Sequence, residues 1–263
     1  YNVLDSERDL LTVVRFWFLT AAVEGLLLLR DVIAEPTLRA EGTFDNPNMA
    51  SCYLGMSMFL VLLPIFPSAR MVKLALWAAV LCGMIATKSI SALLASAVAS
   101  TAVAAAYWFR AGVRMRVRLA LVALVVLVTG GAMLGQVLGT HNFADRLPGS
   151  AEGRNVLWKA GMENFLAYPL GIGVGPAGFE HLQVVSGGSF EGTRRKELHS
   201  DYLSFMAERG IIGITGLFFF IAVVWLMLRR SARLARSHDQ FLAVLGLSGM
   251  FIFALVDAVS HEV

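Results

Sequence analysis

Apolar residues in this chain do not alternate with polar ones; they come in long runs. Seven predominantly apolar stretches of 17–20 residues stand out, at 10–29, 49–65, 71–87, 91–109, 119–138, 211–228 and 241–259. A helix rising 1.5 Å per residue crosses a hydrocarbon core of roughly 30 Å in about 20 residues, so each stretch predicts a membrane span. The third and fourth form one apolar block of nearly 40 residues, too long for a single span. Lys88, flanked by Thr87 and Ser89, marks a tight turn between them.

The charges between the runs give an orientation. Arg70 with Lys73, then Arg110, Arg114, Arg116 and Arg118, then Arg229, Arg230, Arg233 and Arg236 are ten cations opposed in those loops only by Asp239. Short loops rich in Lys and Arg stay cytoplasmic. With seven spans all three cationic loops fall on one side, which supports splitting the long block and places the N-terminus in the cytoplasm. The opposite side then holds a loop at 30–48 and a larger one at 139–210. The predicted organisation is five spans in residues 1–138, the large loop, and two spans in 211–263.

Composition agrees: 57% of the 263 residues are hydrophobic and 16% charged, with a mean hydropathy of +0.68. The chain reads as an all-α polytopic membrane protein rather than a soluble one. The large loop carries seven Lys or Arg against eight Asp or Glu, so it is no polycationic surface for nucleic acid. Chemistry is expected in that loop, since lipid-facing spans mainly need to be apolar.

Within the spans, Arg15 and Glu24 are either snorkelling side chains near the ends of the first run or functional charges. Cys52 and Cys82 lie in apolar runs, as small buried hydrophobes or as a disulfide between neighbouring spans. The chain begins without Met and stops just after an apolar run, which suggests a piece of a longer protein.

Residues 173–178 spell G-x-G-x-x-G, the spacing of a dinucleotide-binding turn. That turn needs a buried strand before it and a βαβ unit around it, and neither is present. The glycines instead suit a turn with positive φ or close backbone approach. The turn would follow a short amphipathic helix at 155–167, with Trp158, Met162, Phe165 and Leu166 on one face, ended by Tyr168-Pro169 and lying against the membrane surface.

No phosphate-binding loop, zinc-protease helix, serine elbow or D-x-D pair occurs, so phosphate would have to be handled by the protein's own cations. Three stretches supply candidates. "LRAEGTFDNPNMASCYL" holds Arg39 before the second span, "ADRLPGSAEGRNVLWKAG" holds Arg146 and Arg154, and "KELHSDYLSFMAERGIIG" holds His199 before the sixth. Arginine offers a planar, permanently charged fork of donors for phosphate oxygens. Histidine can accept a proton near neutral pH.

Together these stretches resemble the bacterial O-antigen ligase and polymerase family. In that family an Arg before "G.F.NPN..A.YL", a "GR...W......PL.G.G...F" segment and an "H..YL....E.G..G" segment recur in this order. The likeness runs from about Arg39 to Gly213. It departs at "TKSISALLA", where Ile90 stands at a position that is often Arg, and at Ser200, where Asn is common.

The resemblance implies a glycosyltransferase C-like fold with a large periplasmic loop, in the bacterial inner membrane. It also implies a metal-independent reaction without cofactor. A polyprenyl-diphosphate-linked glycan would be gripped by Arg39 and Arg154, and His199 would activate an acceptor hydroxyl on lipid A core, a growing polysaccharide or a protein. Arg146, Asn48, Trp158 and Asp201 complete the candidate substrate-binding set. Arg146 is a third phosphate contact or a partner of Asp145 or Glu152. Asp201 orients His199 or caps the following helix. Arg194, Arg195 and Lys196 form a solvated charge run or a headgroup contact. A lipid or sugar transporter or flippase with a periplasmic cap is the alternative from another class.

Overall fold

The computed structural model describes residues 7–35, 39–64, 69–110, 158–159, 161–173 and 200–259. All regular structure among them is helical. The main elements are α1 (Glu7–Ala34), α2 (Pro47–Ser57) running into a 3-10 helix (Met58–Leu62), α3 (Arg70–Ala86), α4 (Ile90–Arg110), α5 (Asp201–Leu234) and α6 (His238–Asp257). A short helical segment covers residues 161–167.

Among the described residues four helices are long and apolar enough to cross a membrane: residues Asp9–Ala34 of α1, α4, α5 and α6. The second apolar run is shorter than expected. Its α-helix ends at Ser57, the 3-10 turn ends at Leu62, and Leu63 is extended (φ −74°, ψ 148°). Pro64 follows, and a residue before proline is pushed out of the helical region. The third run forms a helix of 17 residues. The run at 119–138 lies outside the described residues. The turn expected at Lys88 is present: α3 stops at Ala86, α4 starts at Ile90 and Lys88 has φ 52°.

The chain divides into two compact units, one containing residues up to Val103 and from Val223, the other Ala104–Ala222. In the first, α1 buries Phe18, Ala21, Ala22, Gly25 and Leu28, a helical spacing. Opposite this stripe Phe16, Val23 and Leu26 are exposed. The α1–α3 contact is between backbones. A Cβ on Gly83 would run into the Gly25 backbone, and one on Gly25 into the Ala79 carbonyl. Small residues of this kind let membrane helices approach closely. The α6 contact is reciprocal: Phe253 fills the space at Gly55, and Phe59 fills the space at Gly249. Each step of four residues up α6 thus matches four residues down the α2 segment, so the two run antiparallel. Cys52 and Cys82 are not joined in a disulfide; Cys52 is half-buried and Cys82 exposed, so neither is the fully buried small hydrophobe expected.

In the second unit, α5 is not one straight rod. Gly210 has φ 62° and ψ −156° inside it. Tyr202 and Phe218, sixteen residues apart, would be about 24 Å apart along a straight helix. Their rings instead stack at 6.4 Å. The segment before Gly210 therefore folds back along the segment after it.

Candidate functional site

Arg39 is held by two elements of the first unit. Its Nε–H donates to the Thr87 carbonyl at 3.2 Å, and Nη2 donates to Asn48 Oδ1 at 2.7 Å. The first acceptor exists because α3 ends there, leaving carbonyls without helical partners, and a cation suits the negative end of the helix dipole. The second follows from how "DNPN" starts α2. Asn46 is the N-cap, Pro47 takes the first helical position, and Asn46 Oδ1 accepts the Asn48 N–H at 2.7 Å. Asn–Pro is a favoured start for both reasons. Asn48 is 4% exposed and turns its own side-chain oxygen to Arg39. The guanidinium plane is thus fixed by the C-terminus of α3 and the N-terminus of α2.

The "TKS" turn is the dock for this arginine. Thr87 Oγ1 donates to Met84 O at 2.7 Å and accepts the Ser89 N–H at 3.3 Å. The Ser89 and Ser91 hydroxyls lie 3.2 Å apart. All three side chains are buried. Ile90, at the position where the resembling family often has Arg, is the first residue of α4.

Glu24 does not snorkel. It is 5% exposed, and its carboxylate accepts from the Thr43 N–H and Oγ1, both at 2.8 Å. Sequence reasoning flagged its charge and missed its partner. It missed Asp257 altogether, which is 2% exposed one turn beyond Phe253. The antiparallel match of α6 with α2 sets Asp257 level with buried Ser51, whose hydroxyl donates to Asn48 O at 2.8 Å.

The second unit holds the loop glycines. The helix expected at 155–167 is seen at 158–159 and 161–167 and does end before Tyr168-Pro169. Its buried face differs from the apolar one. Met162 and Leu166 are exposed, while Gly161 and Asn164 are buried and Trp158 and Phe165 are half-buried. The Trp158 indole N–H and both amide atoms of Asn164 are buried with no hydrogen-bond partner among the described residues.

After Pro169 the chain lies along the break in α5. Ile172 N–H donates to Ala207 O and Gly173 N–H to Glu208 O, both at 3.0 Å, and Ile211 N–H donates to Pro169 O at 2.8 Å. These bonds serve the carbonyls and the N–H that the break takes out of the helical ladder. Gly171 (φ 94°) and Gly210 (φ 62°) allow it, because a Cβ on either would strike the backbone of the other strand of chain. Of the dinucleotide-like string only Gly173 is among the described residues; its φ of 93° is positive, as expected, but the space around it is open, and the close approach is made by Gly171 just before the string.

Asp201 is the acidic residue in the first turn of α5, where a carboxylate faces the positive end of the dipole. Arg146, Arg154 and His199 lie outside the described residues. Arg39 and Asn48 are brought together in the first unit, and Trp158 and Asp201 belong to the second. Among the described residues no group of three His, Cys, Asp or Glu could hold a metal ion.

These features define a helical membrane protein with several spans and a buried polar site around an arginine where α3 ends and α2 begins. The chain belongs to the O-antigen ligase family: the family model described as O-Antigen ligase matches residues 74–218, more than half of the 263 residues. Glycan transfer between a lipid-linked glycan and an acceptor is the activity of that family. Arg146, Arg154, Trp158, His199 and Asp201 fall inside the matched segment, and Arg39 and Asn48 precede it. Comparison with curated proteins gives no match.

Proposed function

We propose that the protein transfers a glycan from a polyprenyl-diphosphate-linked donor to an acceptor hydroxyl on the periplasmic face of the bacterial inner membrane. It would do so with seven spans, the 139–210 loop outside, and no metal or cofactor. The observation that carries the reading is the arrested Arg39 guanidinium, oriented by Thr87 O and Asn48 Oδ1 in a chain of this family. A donor fork whose direction is set in advance stabilises charge developing on a leaving group without reorganising at the moment of reaction.

In the reaction the acceptor oxygen bonds to the anomeric carbon as that carbon's bond to the phosphate oxygen breaks. The diphosphate leaves with the electron pair, met by Arg39 and Arg154, and the hydroxyl proton goes to His199. Arg146, Asn48, Trp158 and Asp201 support the substrates.

The test is to incubate the purified full-length protein with a diphosphate-linked glycan and, separately, lipid A core, polysaccharide chain or protein acceptor. Glycosylation of one acceptor, with release of polyprenyl diphosphate, is expected. No product from any acceptor, with glycan carried across a vesicle membrane, would replace this reading by a transporter.

A further inference from the structure

Glu24 is a buried acidic residue past the middle of a mostly apolar helix, and an ionisable side chain placed there requires a partner and a reason. Its partner is one residue. Thr43 gives its N–H to Oε1 and its hydroxyl to Oε2, so both carboxylate oxygens are engaged from the same point of the 39–44 loop. Gly42 makes this possible. At φ +62° it turns the chain so that the Thr43 N–H faces α1, and a Cβ there would collide with Glu24 Oε1.

The same loop carries Arg39. Ala40 is fully buried and its N–H points to Ala86 O at 3.5 Å. The loop is therefore fastened to α3 through Ala40 and the Arg39 side chain, and to α1 through Thr43. Cohesion between loop and helix is served at least as well by apolar packing as by a buried charge. What the carboxylate adds is register, since only one placement of Thr43 satisfies both of its oxygens.

We infer that Glu24 is a positioning residue for the donor site: through Thr43 it holds the 39–44 loop so that Arg39 meets the diphosphate in one orientation. This rests on Arg39 as a ligand of the donor diphosphate. In Glu24→Gln one oxygen still accepts the Thr43 N–H, but the hydroxyl must turn round to accept from the amide, so two charge-assisted bonds become neutral ones and the loop is held less firmly at nearly the same side-chain volume. Thr43→Val removes one bond only and leaves the carboxylate, the N–H contact and the fold.

The experiment measures transfer and KM for the lipid-linked donor in the full-length protein for Glu24→Gln, Thr43→Val, Thr43→Ser, Arg39→Ala and the Glu24→Gln/Arg39→Ala double variant, with Tm measured on each. Glu24→Gln and Thr43→Val raise donor KM by roughly 10- to 100-fold, the scale on which misplacing a catalytic contact acts. Thr43→Ser, which keeps the hydroxyl, recovers most of the loss. In the Arg39→Ala background Glu24→Gln adds nothing further. An equal factor from Glu24→Gln with and without Arg39 overturns the inference, because Glu24 would then act independently of the arginine. Full transfer by both Glu24→Gln and Thr43→Val beside an inactive Arg39→Ala removes this inference alone. Full transfer by Arg39→Ala removes the donor role of Arg39, and the inference with it.

Discussion

Arg39 and Asn48 are joined by a 2.7 Å hydrogen bond from Nη2 to Oδ1, and the acceptor is available because Asn46 has already taken the Asn48 N–H. Each residue of "NPN" thus has a separate job: cap, first helical residue, arginine holder.

The prediction from this relationship concerns charge against geometry. Arg39→Lys keeps the cation and loses the planar fork that reaches Thr87 O and Asn48 Oδ1 together. Transfer should fall on the order of 10²-fold, the scale set by removing a preorganised donor. Asn48→Leu should lower it by a smaller factor, and Arg194→Lys should leave it near the unsubstituted level. Initial rates on a fixed donor, at matched protein amounts in membranes, decide it. Equal rates for Arg39→Lys and Arg194→Lys would leave Arg39 without a donor role.

Some local features of this fold were legible in the sequence, and long-range ones were not. The turn at Lys88 could be read because it depends on a few adjacent residues. The apolar pattern starts the sixth run at 211 but does not show that helix continues on both sides of Gly210. The second run was expected to reach residue 65, and its earlier end was missed although its cause is local, since Pro64 forces Leu63 out of the helix. The Glu24–Thr43 and Arg39–Thr87 bonds join residues 19 and 48 positions apart, and nothing near either residue announces the other.

The loop helix shows a different limit. Its apolar stripe was expected to lie against the membrane surface; Met162 and Leu166 are exposed, while Trp158 and Phe165 of the same stripe are half-buried and the polar Asn164 is buried. In a membrane protein apolar side chains can face outward at no loss, because lipid is as apolar as a core. Periodicity then marks a helix without saying which face is covered.

A topology measurement tests the orientation taken from the positive loops. In a background lacking Cys52 and Cys82, a cysteine placed at Ser189 should react with a membrane-impermeant thiol reagent in intact spheroplasts. One placed at Ser237, just after the cations at 229–236, should react only once the membrane is permeabilised. Equal labelling of the two sites would remove the seven-span arrangement.

The cap on the broken α5 predicts a graded glycine series. Gly171 has φ 94° and its Cβ would meet Glu208 O, whereas Gly173, at φ 93°, has open space around its Cβ. Gly173→Ala therefore carries only the conformational cost, about 1–3 kcal/mol for a residue held in a sparsely populated region. Gly171→Ala carries that cost and must also push Glu208 away. Thermal unfolding in detergent should lower Tm in the order Gly171→Ala more than Gly173→Ala. Gly210→Ala should resemble Gly171→Ala, since its Cβ would strike Pro169 O and Leu170 from the opposite side. Equal shifts for Gly171→Ala and Gly173→Ala would mean that this backbone contact contributes nothing to stability.

The last prediction isolates His199, two residues before α5 begins at Asp201. A general base acts on the acceptor hydroxyl and not on the diphosphate. His199→Ala should therefore abolish most turnover while donor binding, carried by the arginines, survives. The unsubstituted protein should lose rate as pH falls and the imidazole takes up a proton, because a protonated ring cannot accept the hydroxyl proton. His181→Ala, in the same loop and outside the "H..YL" motif, should keep both its rate and its pH profile. Binding is read with a labelled lipid-linked donor and turnover by product formation in the same membranes. Loss of both together would make His199 a structural residue or a donor contact. Full transfer by His199→Ala at normal protein level would remove the role of His199 as the base, and the proton would then have to go to another group.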